Sequence, residues 1–261
     1  MPIFRDQLNR EIELSSVPRR VISVVPSQTE LLFYLGLDEE IIGITKFCVH
    51  PQDKFKSITK IGGTKQLDIA KIKSLKPDLI IANKEENERS QIEELMDFCP
   101  VWISDISNLA GALEMIEGVG ALVSKAAEAA LLSDKIKQQF TELYPVSHTL
   151  STAYFIWRKP YMVAGRDTFI DDMLQKFGLT NVFEANRYPE INVDMLITAN
   201  PELILLSSEP YPFKEKHIEE LRAILPNAII KLVDGEIFSW YGSRLLHALA
   251  YFELLRKELN I

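Results

Sequence analysis

The chain has 261 residues, a net charge of −8 and 47% hydrophobic residues, enough for one large α/β domain or two ordinary ones. That acidic balance supplies no global basic field, so nucleic acid and anionic membrane surfaces are not expected partners. The two cysteines, Cys48 and Cys99, form neither a zinc-ribbon spacing nor a disulfide scaffold, and no apolar run approaches the roughly 20 residues of a membrane-spanning helix.

The start, Met-Pro-Ile-Phe-Arg-Asp, lacks the basic and apolar regions of an export signal. As it stands it suggests the cytoplasm; a periplasmic location would follow if a signal had been removed. Residues 1–18 read as a short strand or hairpin arm. Val21 to Val25 is a β-branched strand that runs into Pro26-Ser27, and the helix after it stops at Gly36. Ser27 or Thr29 is the natural cap for that helix. Ile41 to Thr45 is the next strand, and Lys46 to Pro51 is the loop leaving its carboxyl end. A helix over Ile69 to Leu75, a buried strand at Leu79 to Ala82, a helix over Gln91 to Phe98 and a strand at Val101 to Ile103 complete an alternating β and α order, with Trp102 read as core.

Residues 108–143 then show apolar positions three or four apart with no proline before Pro145, which predicts one long amphipathic helix of roughly 50 Å. Its glycines, Gly111, Gly118 and Gly120, lower its propensity, so packing must hold it. Gly118-Val119-Gly120 lies inside this helix and cannot be a dinucleotide turn. Beyond it the same order of elements returns: a strand at Thr152 to Trp157, helices over Thr168 to Phe177 and Asp194 to Thr198, a strand at Leu203 to Ser207, a helix over His217 to Leu225, a strand at Ile229 to Val233 and a closing helix over Leu245 to Leu259.

An internal repeat underlies that return. An offset of 124 positions lays Leu75-Lys76-Pro77-Asp78-Leu79-Ile80-Ile81-Ala82 on Ala199-Asn200-Pro201-Glu202-Leu203-Ile204-Leu205-Leu206, and an offset of 126 aligns Gln91 to Leu95 with His217 to Leu221. The expected fold is therefore α/β: two Rossmann-like lobes with parallel sheets, residues 1–105 and 146–261, joined by one long inter-lobe helix within 106–145.

In open α/β sheets ligands sit beyond the carboxyl ends of the strands. The first lobe presents Ser27, Phe47, Cys48, His50, Asn83, Glu85 and Glu86 there, and the second presents Trp157, Tyr161, Tyr211, Trp240, Tyr241 and Arg244. Flat aromatic side chains on both lips of a cleft suit a large, partly apolar ligand. Trp157 and Trp240 are read either as ligand contacts or as core, and His50 either as a loop residue or as an axial ligand to a metal inside a bound macrocycle. No histidine spacing suggests a metal site of the protein's own, and no nucleophile elbow or P-loop is present. Arg158, Lys159, Arg166, Arg187 and Arg244 are read either as a local anion site or as ordinary ion pairs.

The stretches Arg20-Val21-Ile22-Ser23-Val24-Val25-Pro26-Ser27-Gln28-Thr29-Glu30, Gly43-Ile44-Thr45-Lys46-Phe47-Cys48 and Leu75 to Ala82 resemble the helical-backbone class of periplasmic substrate-binding proteins of ABC importers, in particular the branch that binds cobalamin and ferric siderophores. The resemblance implies a monomeric, non-catalytic binding protein with no cofactor of its own, for cobalamin or a related corrinoid, a ferric siderophore or haem. It implies ligand contacts at Phe47, Trp157, Tyr161, Trp240 and Tyr241, to which the residues' own chemistry adds His50 and Arg244 as candidate ligand-binding residues. It also implies docking on an ABC permease through a carboxylate at a helix start in each lobe, Asp194 in the second; the matching position in the first is Ala70, with Asp68 two residues before it. The alternative is a cytoplasmic carrier, sensor or enzyme that handles a tetrapyrrole in the same cleft.

Overall fold

A computed structural model describes residues 2–261. The chain forms two compact units. The first contains residues up to Ile106, then Ala110–Ile136 and the short return Tyr241–Arg244; the second contains Ser107–Leu109, Lys137–Trp240 and Leu245–Ile261.

The first unit opens with a hairpin of β1 (Ile3–Arg5) and β2 (Glu11–Glu13). It continues through β3 (Val21–Ser23), α1 (Pro26–Tyr34), β4 (Ile41–Ile44), β5 (Thr59–Lys60), a small hairpin of β6 (Gly62–Gly63) and β7 (Gln66–Leu67), α2 (Ile69–Ser74), β8 (Leu79–Asn83), α3 (Arg89–Met96) and β9 (Val101–Ser104). The main sheet has the order β5-β4-β3-β8-β9, parallel throughout. Every residue of β3, β8 and β9 is buried, as strands covered on both faces must be, which explains their continuous apolar character in place of alternation. Trp102 is 1% exposed in that core and donates its indole N–H to the Arg5 carbonyl, 3.3 Å.

The single long helix expected over 108–143 is two helices, α4 (Leu109–Leu122) and α5 (Ala126–Glu142). Ser124 takes a left-handed conformation at φ 58°, and the Lys125 amide closes α4 by bonding to the Gly120 carbonyl at 2.7 Å. No proline or glycine marks the break. Its requirement is steric: a Cβ on Gly120 would stand 2.3 Å from the Ala129 Cβ, so the last turn of α4 passes the first turn of α5 in closest contact there. Gly118 likewise admits the Trp102 ring. Two of the glycines that lower helix propensity, Gly118 and Gly120, are thus positions where neighbours approach.

The second unit runs through β10 (Ser151–Trp157), β11 (Tyr161–Val163), α6 (Phe169–Phe177), β12 (Thr180–Asn181), β13 (Glu190–Ile191), α7 (Val193–Ala199), β14 (Leu203–Ser207), α8 (Glu215–Ile224), β15 (Ile229–Val233), α9 (Gly235–Ser239), a 3-10 turn over Ser243–His247 and α10 (Ala248–Leu259). Its sheet has the order β13-β11-β10-β14-β15, with β12 beside β10. β10, β14 and β15 are parallel, whereas β11 folds back antiparallel on β10 and carries β13 antiparallel in turn. This sheet is therefore mixed. The two-residue strand β13 and the three-residue strand β11 are too short to leave a period in the sequence.

The repeat is visible in the elements. Strand β14 begins 124 positions after β8, and α7 begins 124 after α2. Lys76 and Asn200, both just before a proline, share the left-handed conformation at φ 48° and 41°. Asp78 accepts the backbone amides of Arg19 and Arg20 at 2.8 and 2.9 Å, and Glu202 accepts the amide and hydroxyl of Ser151 at 2.8 and 2.9 Å. In both units the acidic residue after the proline fixes the start of the neighbouring central strand.

Candidate functional site

The carboxyl ends of the two sheets carry different chemistry. In the first unit, Asn83 at the end of β8 accepts the amides of Glu85 and Glu86 at 2.8 and 2.9 Å and donates to the Ser104 hydroxyl at 2.9 Å. Asn87 accepts the Asn83 amide and donates to the carbonyls of Val24 and Thr64, and the Gln28 amide group also donates to the Ser104 hydroxyl. Asn83, Asn87, Ser104 and Gln28 are buried, and the network they form ties the ends of β3, β8 and β9 together.

The loop after β4 displays Phe47, 51% exposed, with Lys46 Nζ 5.1 Å from its ring centroid. Behind it Cys48 is buried against the hydroxyls of Thr29 and Thr45, and burial raises its thiol pKa. Neighbouring His50 is half-buried. Among the described residues no group of three or more His, Cys, Asp or Glu side chains is close enough to hold a metal ion.

In the second unit the strand ends carry aromatics. Trp157 is 39% exposed and meets Tyr211 edge-on at 5.6 Å; Tyr211 in turn meets Phe213 and His217. Arg158 donates to Glu220 through Nε and Nη2, as close as 2.6 Å, and the Tyr161 hydroxyl donates to the same carboxylate at 2.9 Å. The hydrogen bonds from Arg158 hold the Glu220 carboxyl below the usual range, while burial and that carboxylate push the Tyr161 hydroxyl up to about 12. Tyr161 is thus a neutral donor at physiological pH.

Trp240 is 6% exposed, and its indole N–H donates to the Glu209 carboxylate at 2.7 Å, next to the Ser239 hydroxyl at 2.8 Å. Burial raises the Glu209 pKa. Tyr241 and Arg244 belong to the segment that returns to the first unit. The Tyr241 hydroxyl donates to Glu86 at 3.0 Å, and Arg244 grips Glu30 of α1 at 2.7 and 3.1 Å. Of the five basic groups expected to gather or to pair, Arg158, Arg166 and Arg244 are ion-paired with Glu220, Glu184 and Glu30.

The helix starts also separate. Asp68 is the N-cap of α2, its carboxylate accepting the Lys71 amide at 3.0 Å, and Asn192, at the repeat-related position, caps α7 on the Met195 amide at 2.8 Å. Asp194 and Ala70 are therefore the matching second positions, both exposed. One expectation is overturned: neither Ser27 nor Thr29 caps α1. Its N-cap is Val25, which has no capping side chain, and the Thr29 hydroxyl turns to Ser23 and the Val25 carbonyl. The Asn83-Ser104-Gln28 network leaves no pattern in the sequence, because its members are scattered and only tertiary structure brings them together.

The periplasmic binding protein family matches residues 21–224. The chain belongs to this family. Among its relatives is the ABC transporter substrate-binding lipoprotein YvrC of Bacillus subtilis (strain 168), 24% identical, with 92% of this chain and 81% of that protein covered. The vitamin B12-binding protein of Vibrio campbellii is 24% identical, over 72% of this chain and 70% of that protein. The solved structure of a possible iron-binding, periplasmic solute-binding protein from Staphylococcus epidermidis matches with a TM-score of 0.77 at 23% identity, covering 94% of this chain and all of that one. That likeness establishes the fold of the family: mixed α/β in two lobes, as expected from the repeat.

Proposed function

We propose that the protein is the substrate-binding component of an ABC-type import system for a metal chelate: cobalamin or a related corrinoid, a ferric siderophore or haem. The observation that carries this reading is the family match across residues 21–224, together with relatives named for vitamin B12 and iron binding. The exposed aromatics at the strand ends support it, because Phe47 in the first unit and Trp157 in the second each offer flat apolar area of the kind a macrocycle or chelate packs on. His50 would face the metal side. Buried Trp240 and Tyr241 and half-buried Arg244 would act through their carboxylate partners, Glu209, Glu86 and Glu30, each stiffening its own unit. The role is binding, not catalysis.

The membrane partner would meet α7, where Asp194 stands among Val193, Met195 and Ile197, apolar side chains 38–49% exposed. Asp68, committed to its helix cap, would contribute less. Reversal of charge in Asp194→Lys should lower uptake while leaving ligand affinity unchanged; unchanged uptake would remove this docking assignment.

Visible absorbance titrations with cyanocobalamin, haemin and a ferric hydroxamate test the ligand class, since each has its own bands. Saturable binding of one of them, with a Kd of about 1 μM or tighter, is the expected result. Absence of saturable binding by all three would overturn the reading.

A further inference from the structure

The first sheet has its topological switch point between β3 and β8: from β3 the chain goes through α1 to β4 on one side, while β8 and β9 lie on the other. Ligands of open α/β sheets collect at such points. Here the point is filled by the amino-terminal turn of α1, a nine-residue helix with no side-chain cap. Pro26 carries no N–H, and the amides of Ser27 and Gln28 have no partner within the helix; the first amide that does is Thr29, on the Val25 carbonyl at 2.9 Å.

A second, independent observation concerns side chains. The Ser27 hydroxyl and the Gln28 side-chain carbonyl are buried and have no hydrogen-bond partner, although Ser27 is 2% and Gln28 0% exposed. Leaving buried groups of this kind unsatisfied is unfavourable, so the site is incomplete as it stands. Gln28 is not free to turn away, because its amide nitrogen is held on Ser104. The returning segment Tyr241–Arg244 closes over this helix: a Cβ on Gly242 would stand 3.4 Å from the Ser27 carbonyl oxygen, and the hydroxyl of buried Ser243 is likewise unpartnered. The one carboxylate on the adjoining turn, Glu30, is neutralised by Arg244.

We propose that the amino-terminal turn of α1 binds a phosphate-type oxyanion, through the amides of Ser27 and Gln28 and the Ser27 hydroxyl. Two amides, a hydroxyl and the positive end of the helix dipole complement its oxygens, and the Gln28 carbonyl accepts from its P–OH group. The anion is either free phosphate or a phosphoryl group of a larger ligand. Entry requires the segment at Gly242, which places no side chain on α1, to shift. The site stands apart from the chelate reading, since inorganic phosphate alone should occupy it.

Calorimetric titration of the whole protein with inorganic phosphate tests this. The wild type should bind it saturably at one site. Ser27→Ala should weaken that binding about tenfold, yet leave the unliganded protein as stable or more so, because the hydroxyl it removes has no partner. Gln28→Glu, which sets a carboxylate in the site, should abolish binding and serves as the second variant if Ser27→Ala fails to fold. Competition by a phosphomonoester such as glycerol phosphate, lost in Ser27→Ala, would identify the anion as a phosphoryl group of a larger ligand; binding confined to inorganic phosphate would identify the free ion. No saturable phosphate binding by the wild type, or equal affinity in wild type and both variants, would mean that the turn holds water only and would overturn the proposal. Failure of all three chelates with phosphate binding intact would sink the import reading and leave this site standing.

Discussion

The repeat gives the two sheets the same core and different rims. Strands β8 and β14 occupy matching positions and are locked at their starts by Asp78 and Glu202, yet they end on Asn83 in one unit and Ser207 in the other. Asn83 anchors a buried amide network that joins three strands. Ser207 makes fewer bonds, accepting from the Tyr154 hydroxyl at 3.2 Å and the Glu209 amide at 3.3 Å and donating to the Glu209 carbonyl at 2.5 Å. The difference shows where the fold and the function part. Strand starts carry the lock common to both copies, while strand ends, where ligands gather, have diverged into a polar rim and an aromatic one.

The largest expected effect comes from cutting the polar rim. Asn83→Ala leaves the Glu85 and Glu86 amides and the Ser104 hydroxyl short of partners, and should cost about 3 kcal/mol, read as a drop in the denaturant midpoint at unchanged slope. Ser207→Ala at the repeat-related position should cost only about 1 kcal/mol. Equal losses at the two positions would show that the rims are energetically alike and break the comparison.

The aromatic rim should respond in the opposite way. Trp157→Ala removes a side chain that is 39% exposed and touches Tyr211 at the edge, so stability should change little. Chelate affinity should fall by about 2 kcal/mol if the ring is an anchor. A variant that loses stability and keeps its affinity would return Trp157 to the core. Trp240→Ala offers the contrast, because Trp240 is buried on Glu209 and its loss should lower stability as well as affinity.

Much of this contrast is legible in the sequence. The period of the helices, the β-branched runs and the Lys-Pro-Asp and Asn-Pro-Glu pair place nearly every long element, because those signals are local. The break at Ser124 is not legible, since Gly120 is needed only where Ala129 comes against it, a contact nine residues away along the chain. Strands β11 and β13 are hidden by their shortness. Among the site residues, Phe47 and Trp157 are found by their place at strand ends and are exposed there, whereas Trp240 and Tyr241, found by the same rule, are buried. Place along a strand says which end a residue occupies; burial depends on what else arrives.

The locks themselves make a finer comparison. Asp78→Ala deletes two backbone hydrogen bonds and should cost about 1 kcal/mol. Glu202 does the same work from an exposed position, and its bonds to Ser151 lower its pKa. A lowered carboxylate contributes stability that is present above the unfolded value near 4.5 and lost as pH falls through the folded one. Glu202→Gln should therefore flatten the acid limb of the stability curve slightly, and an unchanged limb would show that the second lock is idle.

The smallest effect should come from His217, which is buried beneath the aromatic rim at the start of α8. Its Nδ1 accepts the Lys214 amide at 2.8 Å, so the ring is neutral with its proton on Nε2, facing the Tyr211 hydroxyl at 3.4 Å. Burial, Arg158 and Lys216 lower its pKa, outweighing Glu220. The unfolded chain therefore takes up a proton near pH 6.5 that the folded chain refuses until lower pH, and the stability this contributes, full above 6.5, is lost as pH falls through that window. Protonation of Nδ1 would break the cap and loosen the turn that presents Tyr211 to Trp157. His217→Asn, which keeps an acceptor for the Lys214 amide but does not titrate, should remove the loss between pH 7 and pH 5. Thermal unfolding at those two pH values decides it: an equal shift in wild type and variant would assign the pH response to carboxylates elsewhere and detach the helix start from the aromatic rim.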